Sequence, residues 1–234
     1  MFIGSFVATP WASNCYIVAP KSAASCIIID PGITSYQTLS QVVREHDFDP
    51  VAILCTHGHI DHAGDAAKAG EEFDCEVWIH PADEEMLTRP MAGLSAQMAP
   101  LLGQVLGDSL EMAPPRRVRH FADSMTLTIA DISIGIKLAP GHTPGSCLLL
   151  SSMGTERGPV FSGDVLFAGA IGRMDMPGGN QRQMAHTLNE VVGSLADDLT
   201  VLPGHGQGTT IGHERRTNPY LTPEVISQLM EDNL

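Results

Sequence analysis

Residues Val51-Ala52-Ile53-Leu54-Cys55-Thr56-His57-Gly58-His59-Ile60-Asp61-His62 pass within twelve positions from an apolar run into a turn carrying three histidines and an aspartate. The run reads as a buried strand, and the Ala-rich stretch from His62 to Phe73 predicts a helix. A turn between a strand end and a helix start is where α/β sheets open their clefts. With 10 His and 15 Asp in 234 residues, His-x-His-x-Asp-His would arise by chance in roughly one shuffled chain per thousand. The plainer reading makes these loop histidines at a helix start, with Asp61 favoured there by the helix dipole.

Three further apolar runs stop in the same way. Ile136 to Pro140 runs into Gly141-His142, Val160 to Ser162 into Gly163-Asp164, and Val201 to Pro203 into Gly204-His205-Gly206. The glycines let the backbone turn sharply, so the four turns could bring imidazoles and carboxylates to one centre. Neutral imidazole and carboxylate oxygen suit zinc, iron or manganese, and no Cys sits in these turns to select a softer metal.

Strands are predicted at Met1 to Val7, Cys15 to Ala19, Ser25 to Ile29, Val51 to Cys55 and Glu76 to Ile79, with a turn at Asp30-Pro31-Gly32. Helices are predicted over Tyr36 to Glu45 and from Pro81 to Leu87. The second half repeats the theme, with strands at Met125 to Ile129, Ile132 to Leu138, Cys147 to Leu150, Val160 to Ser162 and Thr200 to Leu202. Helices follow over Gln181 to Leu195 and Pro223 to Met230. Strands grouped before helices, twice over, predict an α/β fold of two packed sheets with helices on the outer faces. We expect one domain over residues 1–234, with a lid-like insertion at about 89–119, where the composition turns to Met, Gly, Pro and Leu.

Thirteen Lys plus Arg against 27 Asp plus Glu give a formal charge of −14, while the chain is 43% hydrophobic and 17% charged. That balance buries a core, and it argues against nucleic acid or an anionic membrane as partner, since both attract clustered Lys and Arg. No apolar stretch approaches the ~18 residues of a membrane span. Met1 to Ala19 has no Lys or Arg before Lys21 and is broken by Thr9, Pro10, Ser13 and Asn14, unlike a signal peptide. Five cysteines, none spaced as CxxC and mostly in apolar runs, read as reduced core residues of a cytoplasmic protein.

The sequence resembles the metallo-β-lactamase-fold hydrolases, carrying their five motifs in order as Asp30, the Thr56 to His62 block, His142, Asp164 and His205. More narrowly, Ser162-Gly163-Asp164-Val165-Leu166-Phe167, Ile171-Gly172-Arg173, Pro177-Gly178-Gly179, Leu202-Pro203-Gly204-His205-Gly206 and Thr217-Asn218-Pro219-Tyr220 are similar to short bacterial glyoxalase II-like enzymes. The resemblance implies a four-layer αββα sandwich of two mixed sheets holding two divalent metal ions, with zinc expected and iron or manganese as alternatives. It implies His57, His59 and His142 on one ion, Asp61, His62 and His205 on the other, and Asp164 between them. Asp30 and Thr56 would orient ligands. Asp61 would also act catalytically, orienting the attacking water.

The implied activity is hydrolysis of a hydroxyacyl-thiol thioester of the S-lactoylglutathione type, a small acyl-thiol being the partner. A persulfide dioxygenase using one iron keeps the same ligand motifs, and an ester, lactone or β-lactam substrate is a further alternative. A metal-binding regulatory protein without turnover is the reading outside enzymes, against which seven ligands speak, because structural zinc sites close with four. Only 29 residues follow His205, where longer glyoxalase II enzymes carry a helical domain that helps hold glutathione. Arg173 is the candidate substrate-binding residue, through an anionic group on the thioester, its alternative being a surface pair with Asp175. Met91, Met98 and Leu101 either line a pocket or pack, and Arg116, Arg117 and Arg119 form a solvated cluster. His46, His80, His120, His186 and His213 lie outside the ligand pattern.

Overall fold

The computed structural model describes residues 1–21 and 24–231. β1 (Phe2–Ala8) and β2 (Ser13–Ala19) pair antiparallel, and β3 (Ser25–Ile29) adds antiparallel to β2. Helix α1 (Tyr36–Glu45) then returns the chain so that β4 (Asp49–Leu54) lies parallel to β3. α2 (Ile60–Ala63) and α3 (Ala66–Glu72) do the same for β5 (Glu76–Ile79). A longer excursion through α4 (Ala99–Leu106) delivers β6 (Val118–His120), also parallel. The first sheet is therefore mixed, in the order β1-β2-β3-β4-β5-β6.

The second half lays down β7 (Thr126–Ile129), β8 (Ile132–Leu138), β9 (Cys147–Met153) and β10 (Glu156–Gly163), then a small hairpin of β11 (Leu166–Phe167) and β12 (Ala170–Ile171). α5 (Gln181–His186), β13 (Thr200–Pro203), β14 (Thr209–Thr210), α6 (Ile211–Thr217) and α7 (Pro223–Glu231) follow. The second sheet runs β14-β13-β10-β9-β8-β7, parallel only between β10 and β13.

Alternation along the strands builds the layers, because successive side chains leave a strand on opposite faces. In β2 every residue is buried. Cys15, Ile17 and Ala19 pack beneath the helices with Leu39, Val43, Ala66 and Ala69. Tyr16 and Val18 point the other way and, with Ile27, Ile29 and Leu54, meet Ile134, Ile136, Leu149 and Phe161 of the second sheet. On the far face Leu148, Val160 and Val201 pack on Met184, Leu188 and Leu229. Three apolar cores between four layers make the αββα sandwich, each buried Ile or Leu contributing about 1.5–3 kcal/mol.

The expected helix from His62 to Phe73 is divided, and the reason is close packing. A Cβ at Gly64 would lie 2.7 Å from Ile33 Cβ, and the Asp65 carboxylate accepts the Tyr36 N–H at 2.8 Å. The chain breaks there to dock the metal-motif loop on the loop after β3. The expected helix over Gln181 to Leu195 passes at Thr187–Val192 into a π-helical turn, where Thr187 Oγ1 donates to the Pro140 carbonyl at 2.7 Å, next to the His142 turn. Pro81–Leu87 is a 3-10 turn, and the last residues of the 89–119 segment, Val118 and Arg119, belong to β6. Among the described residues no helix is long and apolar enough to cross a membrane.

Candidate metal centre

The four ligand-bearing turns follow β4, β8, β10 and β13 and meet at one edge of the paired sheets. The structure brings all seven predicted ligands together there. Ligand atoms of His57, His59 and His142 lie within 4.8 Å of one another, as do those of His57, His62 and Asp164 and those of Asp61, His62 and His205. His59 Nδ1 is 2.9 Å from His142 Nε2, and His62 Nε2 is 3.2 Å from His205 Nε2. Asp164 reaches both groups, with Oδ1 3.3 Å from His62 Nε2 and Oδ2 3.5 Å from the Nε2 atoms of both His142 and His205. Asp61 Oδ2 lies 3.1 Å from His205 Nε2 and 3.4 Å from His62 Nε2.

Hydrogen bonds on the far side of the rings decide which nitrogen offers its lone pair inward. His142 Nδ1–H donates to the Arg173 carbonyl (2.7 Å) and His205 Nδ1–H to the Ala12 carbonyl (3.2 Å). His62 Nδ1–H donates to Asp30 Oδ2 (3.1 Å). Thr56 Oγ1 gives its own proton to Asp30 Oδ2 (2.7 Å) and accepts from His57 Nδ1–H (3.1 Å). Asp30 also takes the Thr56 N–H at 2.7 Å, from a backbone in the left-handed region, φ +52°, which Asp tolerates. Nε2 of His57, His62, His142 and His205 is thereby turned inward and directed at the others.

Ring nitrogens and carboxylate oxygens crowding together are what a metal ion requires, and the burial pattern agrees. His57 Nε2 and Asp164 Oδ1 are buried with no hydrogen-bond partner among the described residues, a costly state for polar atoms unless a ligand completes them. Burial, reinforced by the neighbouring imidazoles, holds His57 well below the usual histidine range. Burial likewise brings His59 down to about 4. Burial opposes a proton on His205, but hydrogen bonds to Asp164 and Asp61 outweigh it and raise it to about 9. On His62, too, burial yields to Asp61 and Asp164. The donor set fits divalent zinc, iron or manganese.

A cleft of about 180 Å³ opens above these atoms, walled by Trp11, Ile60, Leu94, Met98 and Met176. Arg173 lines it as well, but its guanidinium is exposed and bidentate on Asp175 at 2.6 and 2.7 Å. The backbone of Arg173, not its charge, touches a candidate ligand, His142. Met98 reaches the cleft, Met91 packs beneath it, and Leu101 is exposed. Arg116, Arg117 and Arg119 pair with Glu71, Asp74 and Glu76 at the surface.

Several supporting residues were given no role by the sequence reading. Asn14 Nδ2 donates to the carbonyls of Pro203 and Gly206 (both 2.9 Å), and Tyr16 Oη to Pro203 (2.7 Å), so β2 holds the His205 turn. Buried Glu214 accepts the Gly169 N–H (2.8 Å) and Asn218 Nδ2 (2.9 Å), and Asn218 also donates to Ala170 (3.1 Å). That explains the Asn218 motif as a brace for the hairpin preceding Arg173. A polar residue in an apolar run, as at Asn14, was the available clue.

The chain is similar to known proteins over nearly its whole length. An uncharacterized protein of Mycobacterium tuberculosis (strain ATCC 25618 / H37Rv) is 39% identical over 223 residues, 94% of this chain and 98% of that one. Hydroxyacylglutathione hydrolase GloC of Haemophilus influenzae is 32% identical over 217 residues, 91% of this chain and 94% of that one. The structure of BLEG-1 B3 metallo-beta-lactamase superposes with a TM-score of 0.79 at 28% identity, covering 94% of this chain and 100% of that one. TTHA1623, solved in a di-iron-bound form, gives 0.77 at 32%, covering 93% and 100%. The family model of the Metallo-beta-lactamase superfamily matches residues 8–205, a span that contains all seven candidate ligands, and the chain belongs to that superfamily of metallo-hydrolases.

Proposed function

We propose that the protein is a binuclear metal-dependent thioesterase that hydrolyses a hydroxyacyl-thiol of the S-lactoylglutathione type. The observation that carries this reading is the make-up of the cleft: His59, Asp61, His142, Asp164 and His205, five of the seven convergent candidate ligands, line it, and the other residues that line it are Trp11, Ile60, Leu94, Met98, Arg173 and Met176. None of those six is a general acid at neutral pH. An amine leaving group needs a proton, whereas a thiol with a pKa near about 8.5 departs as thiolate without one.

Divalent ions bound there would polarise a carbonyl and bring the ionisation of water down to about pH 7. The chain does the rest. Asp61, hydrogen-bonded to His205 and only partly buried, accepts a hydrogen bond from the attacking water and orients it. Trp11, Leu94, Met98 and Met176 exclude bulk water and hold the acyl group, the segment carrying Leu94 and Met98 acting as a lid. Arg173 can leave its exposed partner Asp175 at a cost of about 0–1 kcal/mol to meet an anionic thiol carrier. The similarity to GloC supports the thioester, and five buried free cysteines support a cytoplasmic setting.

The similarity to BLEG-1 favours a second reading, β-lactam hydrolysis. A panel of small thioesters, a β-lactam of matching size and a low-molecular-weight persulfide separates the possibilities, with thiol release, ring opening and oxygen uptake as readouts. We expect metal-dependent thiol release far faster than ring opening and no oxygen uptake. Equal rates on thioester and β-lactam, or oxygen uptake with the persulfide, would overturn the assignment.

A further inference from the structure

Asp83 lies in the turn Pro81–Leu87 after β5, belongs to none of the ligand motifs, and is wholly buried. Three donors converge on its carboxylate. Gly58 N–H (3.0 Å) and Thr143 Oγ1 (2.6 Å) reach Oδ2, and Gly145 N–H (2.7 Å) reaches Oδ1. Gly58 stands between His57 and His59, and Thr143 follows His142, so one side chain ties together the two loops that supply all three imidazoles of the first half-site.

The backbone is shaped to admit it. A Cβ on Gly58 would lie 2.7 Å from the Asp83 carbonyl oxygen, and one on Gly145 would lie 2.6 Å from Asp83 Cγ. Both positions need glycine for the same reason. A carboxylate costs several kcal/mol to bury, no Lys or Arg is bonded to this one among the described residues, and an apolar side chain would pack more cheaply. Three donated hydrogen bonds offset that cost and fix the spacing of two loops that, among the described residues, no other carboxylate joins in this way. Asp30 plays the matching part at the second half-site, through Thr56 and His62.

We propose that Asp83 is a positioning residue that sets the separation of the His57/His59 loop and the His142 loop, and with it the affinity and geometry of the first half-site, touching neither ion nor substrate. The inference rests on His57, His59 and His142 being ligands. Asp83→Asn keeps the shape but turns an amide NH2 toward one of the three donors.

The test is a competitive metal titration of the full-length chain, with the visible absorption of the cobalt(II)-loaded protein as a second readout. In Asp83→Asn we expect affinity at the first half-site to fall about 10–100-fold, with its cobalt bands displaced, as for other groups that orient ligands. The second half-site should stay within about threefold. Thr143→Val, which removes one donor and keeps the carboxylate, should move the same site in the same direction by less. If Asp83→Asn does not fold, Thr143→Val alone decides.

Equal weakening of both half-sites, or no change at the first in a folded variant, overturns the proposal. His57→Ala separates the two levels. Loss of the first ion in His57→Ala with unchanged affinity at that half-site in Asp83→Asn defeats the role of Asp83 alone, whereas unchanged affinity in both defeats the ligand reading beneath it.

Discussion

His57, His59 and His142 offer three imidazoles, all buried, whereas Asp61, His62 and His205 mix a carboxylate with two imidazoles and leave the His205 side chain 27% exposed. The first group is closed in by the turn after β5 and by the 89–119 segment, a Cβ at Gly93 falling 2.8 Å from His59 Cδ2. The second faces the start of β2 through the Ala12 carbonyl and Ser13, whose hydroxyl donates to the Asp61 carbonyl at 2.5 Å. The difference teaches that one centre brings together two unlike groups of candidate ligands. The first is neutral and dry, with its two loops bonded to the Asp83 carboxylate, and the second is charged and wetter, with His62 bonded to Asp30.

The largest effects should come from splitting the pair. His57→Ala should lose the first ion and keep the second, His62→Ala should do the reverse, and each should cut thiol release by more than about 100-fold. Elemental analysis beside kinetics checks this. If either variant loses both ions together, the two half-sites are one cooperative unit and the distinction fails.

Legibility in the sequence followed length and periodicity. Runs such as Tyr36–Glu45 and Ile132–Leu138 are long enough to show their period and appear with the expected bounds. β11, β12 and β14 have two residues each, too few for alternation to register, and β6 is a short edge strand of intermediate and exposed residues. The convergence of the candidate ligands was legible because metal coordination demands particular residue types at strand ends. Asp83, Trp11 and Asn14 were not, because their roles depend on partners 60, 48 and 189 positions away in the chain: Thr143 beside Asp83, His59 sharing the cleft wall with Trp11, and Pro203 bonded to Asn14. The reading of Arg173 illustrates the same limit, since its carbonyl bond to His142 is invisible to side-chain chemistry.

A middle-sized effect sharpens the comparison at that point. Because the first half-site uses the carbonyl of residue 173, Arg173→Ala should leave metal content and stability within about 0.5 kcal/mol of the parent. It should raise the Michaelis constant several-fold for an anionic thioester and little for a neutral one. Loss of the first ion in that variant would show that the side chain holds the loop.

The smallest effect concerns sulfur, which neither half-site uses. Burial pushes the Cys26 and Cys147 thiols up to about 12 and Cys75 to about 11, and Cys15 and Cys55 are raised as well. The folded chain thus keeps thiol protons that the unfolded chain releases above about pH 8.5. Stability is unaffected below that pH and falls as pH rises from there toward 12. At pH 8 a thiol reagent should leave the folded protein unlabelled and its metal content unchanged, and labelling should follow denaturation.

The most direct test of the central claim is calorimetric titration of the metal-stripped full-length chain with zinc or iron(II), followed by elemental analysis. Two ions per chain, bound in two resolvable steps of unequal affinity, are predicted from the two unlike half-sites. A single ion per chain, with the second position still empty at excess metal, would contradict the account.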